Sequence, residues 1–119
     1  MFLQLNHQKL DAFQFSFQLV HECYKLTADF PFEEKFGLTQ QIRSAALSVH
    51  LNIAEGSSRK SQTERKRFYE VARGSVIEID AALDIVTGIA YKTKESMEKP
   101  GEYLLTCFKI LSGLITAGN

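Results

Sequence analysis

The sequence predicts an all-α fold, an antiparallel up-down-up-down bundle of four helices. Three observations point to it. Apolar residues recur at steps of three and four through four separate stretches. Only two prolines, Pro31 and Pro100, interrupt the 119 residues, and proline inside a helix breaks it. No stretch shows the strict apolar–polar alternation of a half-buried strand. A chain of 119 residues is one domain by size. It can bury a core without disulfides or a structural metal.

The first helix is expected from about Leu10 to Asp29. Leu10, Phe13, Phe17, Val20 and Tyr24 share one face. A second apolar row, Ala12, Phe15, Leu19, Cys23 and Leu26, flanks it. A helix this apolar around its girth should be covered on two sides, by its own bundle and by another subunit. Phe30-Pro31 stops it, because the residue before proline is pushed out of the α region. Gly37 ends the linker. The second helix follows from about Leu38 to Glu55, with Leu38, Ile42, Ala45, Val49 and Ile53 as its stripe. Ala46 is a small neighbour that allows close helix approach. Gly56 is placed as a left-handed helix stop.

Ser61-Gln62-Thr63-Glu64 reads as a capping box. It opens the longest helix, to about Tyr91. Phe68, Ala72, Ser75, Ile79, Ala82, Val86 and Ile89 alternate steps of four and three, a heptad seam. Tyr69, Val76, Leu83 and Ala90 recur every seventh residue beside it. Such a helix is roughly 45 Å long. Gly74 within it costs about 1 kcal/mol relative to alanine, which suggests a close neighbour there. The polar stretch from Lys92 to Glu102, with Pro100, is expected as a loop plus the first turn of the last helix. Leu104, Phe108, Leu111 and Ile115 stripe that helix to about Ala117. Short connections between long helices favour antiparallel neighbours.

The formal net charge is zero, so the chain as a whole exerts no electrostatic pull on nucleic acid or membrane. Any such affinity must come from a local patch. The two cysteines, Cys23 and Cys107, lie among apolar residues and read as reduced core thiols of a cytoplasmic protein. Phe2 and Leu3 run straight into polar residues, unlike a secretory signal. No apolar run reaches the roughly 18 residues of a membrane span. Helical bundles often host paired metals through Glu-x-x-His, but no such motif occurs. The three histidines, His7, His21 and His50, lie far apart. Neither a Gly-x-Ser-x-Gly elbow nor a glycine-rich phosphate loop is found. No catalytic, metal or cofactor residue is assigned, and a non-enzymatic role is expected.

One charge pattern is informative. Arg59, Lys60, Arg65, Lys66, Arg67 and Arg73 surround the start of the third helix, offset only by Glu64 and Glu70. Glu78, Asp80 and Asp84 follow without basic partners. Cations at a helix N-terminus oppose its dipole, at a few tenths of a kcal/mol each. The cluster therefore reads either as a site for an anionic partner or as a solvated face with pairs such as Glu70–Arg73. The second helix carries Arg43, Asn52 and Glu55, and the last two are one turn apart on one face. Burying them unpaired costs several kcal/mol, and Arg73 could complete a polar network with them. A structural network is the stronger reading, a ligand site the weaker.

The same residues carry a resemblance. Phe30-Pro31, Glu34, Gly37-Leu38, Gln41-Ile42-Arg43, Ala45-Ala46, Ser48-Val49 and Asn52-Ile53-Ala54-Glu55-Gly56 belong to it. Arg59, Phe68, Ala72-Arg73-Gly74-Ser75 and Glu78 continue it. This pattern, dense over 30–80, resembles the four-helix bundle proteins encoded by intervening sequences of bacterial 23S rRNA genes. The resemblance implies a ring-like homopentamer without enzymatic activity or cofactor. It also implies similarity to the accessory protein of diversity-generating retroelements, a basic barrel that binds nucleic acid and a reverse transcriptase. Arg43-Ser44 stands where family members often carry two arginines.

The leading expectation is a homo-oligomeric, nucleic-acid-associated accessory protein. Arg43, Arg59, Lys60, Arg65, Lys66, Arg67 and Arg73 would contact phosphates. Its partners would be its own copies, RNA or DNA, and a reverse transcriptase or other protein, with no membrane. The alternative is a protein-binding scaffold that docks through the apolar first helix.

Overall fold

In the computed structural model, residues 2, 3, 5 and 10–117 are described, the side chain of Ala117 excepted. His7 lies outside them. Four helices pack together: α1 (Asp11–Thr27), α2 (Leu38–Ser57), α3 (Gln62–Gly88) and α4 (Glu98–Ala117). Single 3-10 turns, Phe32–Glu34 and Glu95–Met97, precede α2 and α4. No strand occurs among the described residues. Each helix packs on its sequence neighbour, and α1 also packs on α4. The fullest contact is between α2 and α3.

In α1 the inward face differs from the first of the two expected rows. Ala12, Phe13, Ser16, Leu19, Cys23 and Leu26 are buried, whereas Phe17 is 46% and Tyr24 38% exposed. Ser16 sits in the middle of the buried row and breaks its apolar pattern. Its Oγ is satisfied, donating to Phe13 O at 3.0 Å and lying 2.7 Å from His50 Nδ1 on α2. The helix ends at Thr27 rather than Asp29, and Thr27 Oγ1 bonds back to Cys23 O at 2.9 Å.

The expected stripe of α2 is buried at Ile42, Ala45, Val49 and Ile53, with Ala46 buried beside it and Leu38 half-buried. Its N-terminus is capped by Glu34, whose Oε1 accepts from Leu38 N at 3.1 Å. Gly56 is not the left-handed stop expected of it. No glycine among the described residues has positive φ, and α2 continues through Gly56 to Ser57. The glycine serves close approach instead. A Cβ on Gly56 would stand 2.9 Å from Phe68 Cβ and 3.0 Å from Tyr69 Cε1, both on α3.

Ser61 caps α3, its Oγ accepting from Glu64 N at 3.2 Å. Both heptad rows are buried through the middle: Ala72, Ser75, Ile79, Ala82 and Val86, with Tyr69, Val76 and Leu83. The rows fail at the ends, where Phe68 is half-buried and Ile89 exposed. Ala90 lies beyond the helix with φ 64°. Tyr91 N bonds to Val86 O and Ala90 N to Thr87 O, each at 3.0 Å. That pair is a Schellman stop with alanine at the left-handed position. The close neighbour expected at Gly74 is absent among the described residues: none lies within 4 Å of a Cβ placed there.

The last helix begins at Glu98, and Pro100 falls in its first turn, as expected. Backbone N–H groups there have no partner within the helix, so proline costs little. Leu104, Cys107 and Leu111 face inward, while Phe108 lies toward the surface. Leu19, Ile42, Ile53, Ile79 and Leu111 fill the centre. Burial pushes the Cys23 and Cys107 thiols up to about 12, so both stay protonated and unreactive. No helix among the described residues is long and apolar enough to cross a membrane.

Candidate nucleic-acid interface

The basic cluster forms the corner where α2 passes into α3. Arg65 Nη1 donates to the carbonyls of Arg59 at 2.7 Å and Lys60 at 2.8 Å, holding the connection closed. Arg59 pairs with Glu55 at 3.0 Å, and its guanidinium lies 4.8 Å over the Phe68 ring. Lys66 is half-buried. Lys60 and Arg67 are exposed, and neither is in an ion pair with any described residue. The helix dipole acts in both directions here. Arg59 and Lys60 directly follow the C-terminus of α2, where cations are favoured, while Lys66 and Arg67 open α3, where they are not. Part of the dipole penalty that singled out the cluster is therefore offset by the preceding helix.

Arg43 and Arg73 do not join this corner. Arg43 lies about 20 Å along α2 from it and ties α2 to α1. Its Nε donates to Thr27 Oγ1 at 2.8 Å and its Nη2 to Tyr24 O at 3.4 Å. Its guanidinium stacks 4.5 Å over the Tyr24 ring. Arg73 ties α3 to α4, donating to Ser112 Oγ at 3.2 Å near the Phe108 ring.

The anticipated network of Asn52, Glu55 and Arg73 is replaced by a different one. Glu55 turns to Arg59 and Arg73 to Ser112. Asn52 Nδ2 donates to Ser48 O at 2.8 Å and Ser48 Oγ at 3.1 Å. Ser48 Oγ in turn accepts from Ser75 Oγ at 2.7 Å, across the α2–α3 contact. The missed partners had a signal: Ser48 lies one turn before Asn52, and Ser75 is the polar residue in the heptad seam. Among the described residues, no group of three His, Cys, Asp or Glu is placed to hold a metal ion.

The family model of the 23S rRNA-intervening sequence protein matches residues 8–113. The chain belongs to that family. Its fold is similar to a crystal structure of a protein of unknown function from the S23 ribosomal protein family of Bacteroides thetaiotaomicron. The TM-score is 0.78 at 20% identity, over 87% of this chain and 97% of that one. No curated protein matches by sequence. In this family member, the residues that carry the resemblance hold the fold together. Glu34 caps α2, Arg43 anchors α1, Gly56 admits α3, Ser48 and Ser75 bridge α2 to α3, and Arg73 reaches α4.

Proposed function

We propose that this family member is a non-enzymatic, homo-oligomeric accessory protein that holds RNA or DNA at the α2–α3 corner. One observation carries the reading. Lys60 and Arg67 stand in solvent without an acidic partner among the described residues, beside Arg59, Arg65 and Lys66. Phosphate contacts of this kind position a nucleic acid without reading its sequence. Arg43 and Arg73 hold helices together and are given a supporting part only.

The bundle runs up-down-up-down in this reading. Contacts between the α1–α2 and α3–α4 connections support that topology: Lys92 pairs with Asp29 at 2.7 Å, and the Phe30 and Tyr91 rings lie 5.5 Å apart. The assembly is a ring-like pentamer of about 67 kDa, five chains of 13.5 kDa, as the resemblance implies. Apolar side chains left exposed on α1, α3 and α4, including Phe17, Ile77, Ile85 and Leu105, support burial between copies. Several corners on one ring would act together through high effective concentration. The further partner is a reverse transcriptase or another protein, by similarity to the retroelement accessory protein. The setting is cytoplasmic, in keeping with the two free core cysteines.

The second reading is a protein-binding scaffold without nucleic-acid affinity. It is favoured by zero net charge and by the engagement of Arg43, Arg59, Arg65 and Arg73 in the fold. Fluorescence anisotropy with a labelled single-stranded RNA at low salt separates the two. Binding is expected on the first reading, and none on the second.

A further inference from the structure

Among the exposed apolar features of the described residues, two differ in shape. The first is a projection on the α1–α2 connection. Phe32 is 79% and Phe36 82% exposed, far more than other phenylalanines of the helices and connections. Lys35 stands between them, its Nζ 5.8 and 5.5 Å from the two ring centroids. Glu34 of the same segment turns away to bond Tyr91. Glu33 is exposed, and Lys35 is the charge that lies against the two rings.

The second feature is a groove between α3 and α4, lined by Val76, Ile77, Leu104, Leu105 and Phe108 with Asp80 at its edge. Its volume is about 380 Å³. A cavity of roughly 150 Å³ suffices for benzene, so the groove has room for two phenyl rings. Asp80 and, one turn on, Asp84 are exposed carboxylates without an ion pair among the described residues. The groove is therefore apolar with an acidic rim, and the projection is aromatic with a cationic centre.

We infer that the Phe32–Lys35–Phe36 projection of one chain seats in the α3–α4 groove of a second copy, with Lys35 facing Asp80. The inference rests on the homo-oligomer reading and names its interface. Charge complementarity and the match in size select this occupant. Aromatic anchors entering an apolar pocket are the usual energetic centre of an interface. Projection and groove are different patches, so the contact is heterologous and propagates around a ring rather than closing as a two-fold dimer. It leaves Lys60 and Arg67 free for other partners.

The test uses the full chain, wild type and variants, with mass measured by light scattering. Phe32→Ser with Phe36→Ser removes the projection, and Leu105→Asp spoils the groove. All three positions are exposed, and far-UV circular dichroism reports whether each variant stays helical. Wild type is expected as an oligomer and each variant as a 13.5 kDa monomer. Mixed together, the variants are expected to form a dimer of about 27 kDa, two 13.5 kDa chains, because one intact projection and one intact groove remain. Lys35→Asp should weaken the wild-type assembly, and adding Asp80→Lys should restore it. An oligomeric projection variant, or a mixture that stays monomeric, overturns the interface while leaving the homo-oligomer reading standing. A monomeric wild type overturns both.

Discussion

Tyr91, just beyond α3, donates its phenolic hydrogen to Glu34 Oε2 at 2.9 Å, while Glu34 Oε1 caps α2. One carboxylate thus joins the start of α2 to the end of α3. The bond to Glu34 holds the Tyr91 pKa above the ordinary tyrosine value. Because the folded value is raised, this contribution is fully present below the unfolded tyrosine pKa and is lost as pH rises through the folded one. Tyr91→Phe should lower the melting temperature at neutral pH. It should also flatten the decline of melting temperature above about pH 10, the unfolded tyrosine pKa. Melting curves of both forms from pH 7 to 11 check this, and parallel curves would place the linkage elsewhere.

Glycine behaves oppositely at two sites. Gly56→Ala pushes a Cβ to 2.9 Å from Phe68 Cβ and 3.0 Å from Tyr69 Cε1, so the α2–α3 contact must shift to admit it. Overpacking costs about 1–3 kcal/mol, against roughly 1 kcal/mol gained in helix propensity, so a net loss is expected. Gly74→Ala meets none of the described residues within 4 Å and should gain up to about 1 kcal/mol. Urea denaturation of the two variants should move the midpoint in opposite directions. A loss at Gly74 would mean that a second chain covers that face.

The end of α3 carries its glycine two residues too early. Gly88 is helical with open space around its Cβ position, while Ala90 takes the left-handed φ of 64°. A left-handed alanine costs roughly 1–2 kcal/mol. Exchanging the two, Gly88→Ala with Ala90→Gly, should stabilise the fold by about 1–2 kcal/mol. A calorimetric melting temperature equal to or below wild type would contradict the stop assigned here.

These particulars show what was legible in the sequence. The α2 stripe and the middle of the α3 seam were readable because one apolar row clearly dominates each helix. On α1 two rows compete, and the choice falls to Ser16, whose burial depends on a bond to His50 from another helix. Periodicity carries no such information. Gly56 and Gly74 look alike as letters, and only the path of α3 distinguishes them. The basic corner was legible as a cluster, but the roles within it were not. Arg65 closes a loop, Arg59 pairs locally, and Arg43 and Arg73 serve distant helices, because long side chains choose partners that only folding brings near.

In the proposed function, exposed cations at the α2–α3 corner hold phosphate. The direct measurement is the salt dependence of single-stranded RNA binding, for wild type and for Lys60→Glu with Arg67→Glu. Both residues are exposed, and neither holds the corner together as Arg65 does, so the variant should keep its helicity and mass. Wild-type affinity is expected to fall as salt rises, by about 0.7 log units per phosphate contact per tenfold salt on a single strand. The double variant should lose most of the binding and flatten that slope by about 1.4 log units, two contacts' worth. Equal affinity and equal slope in the two proteins, or no wild-type binding at low salt, would contradict the claim and leave the protein-scaffold reading in its place.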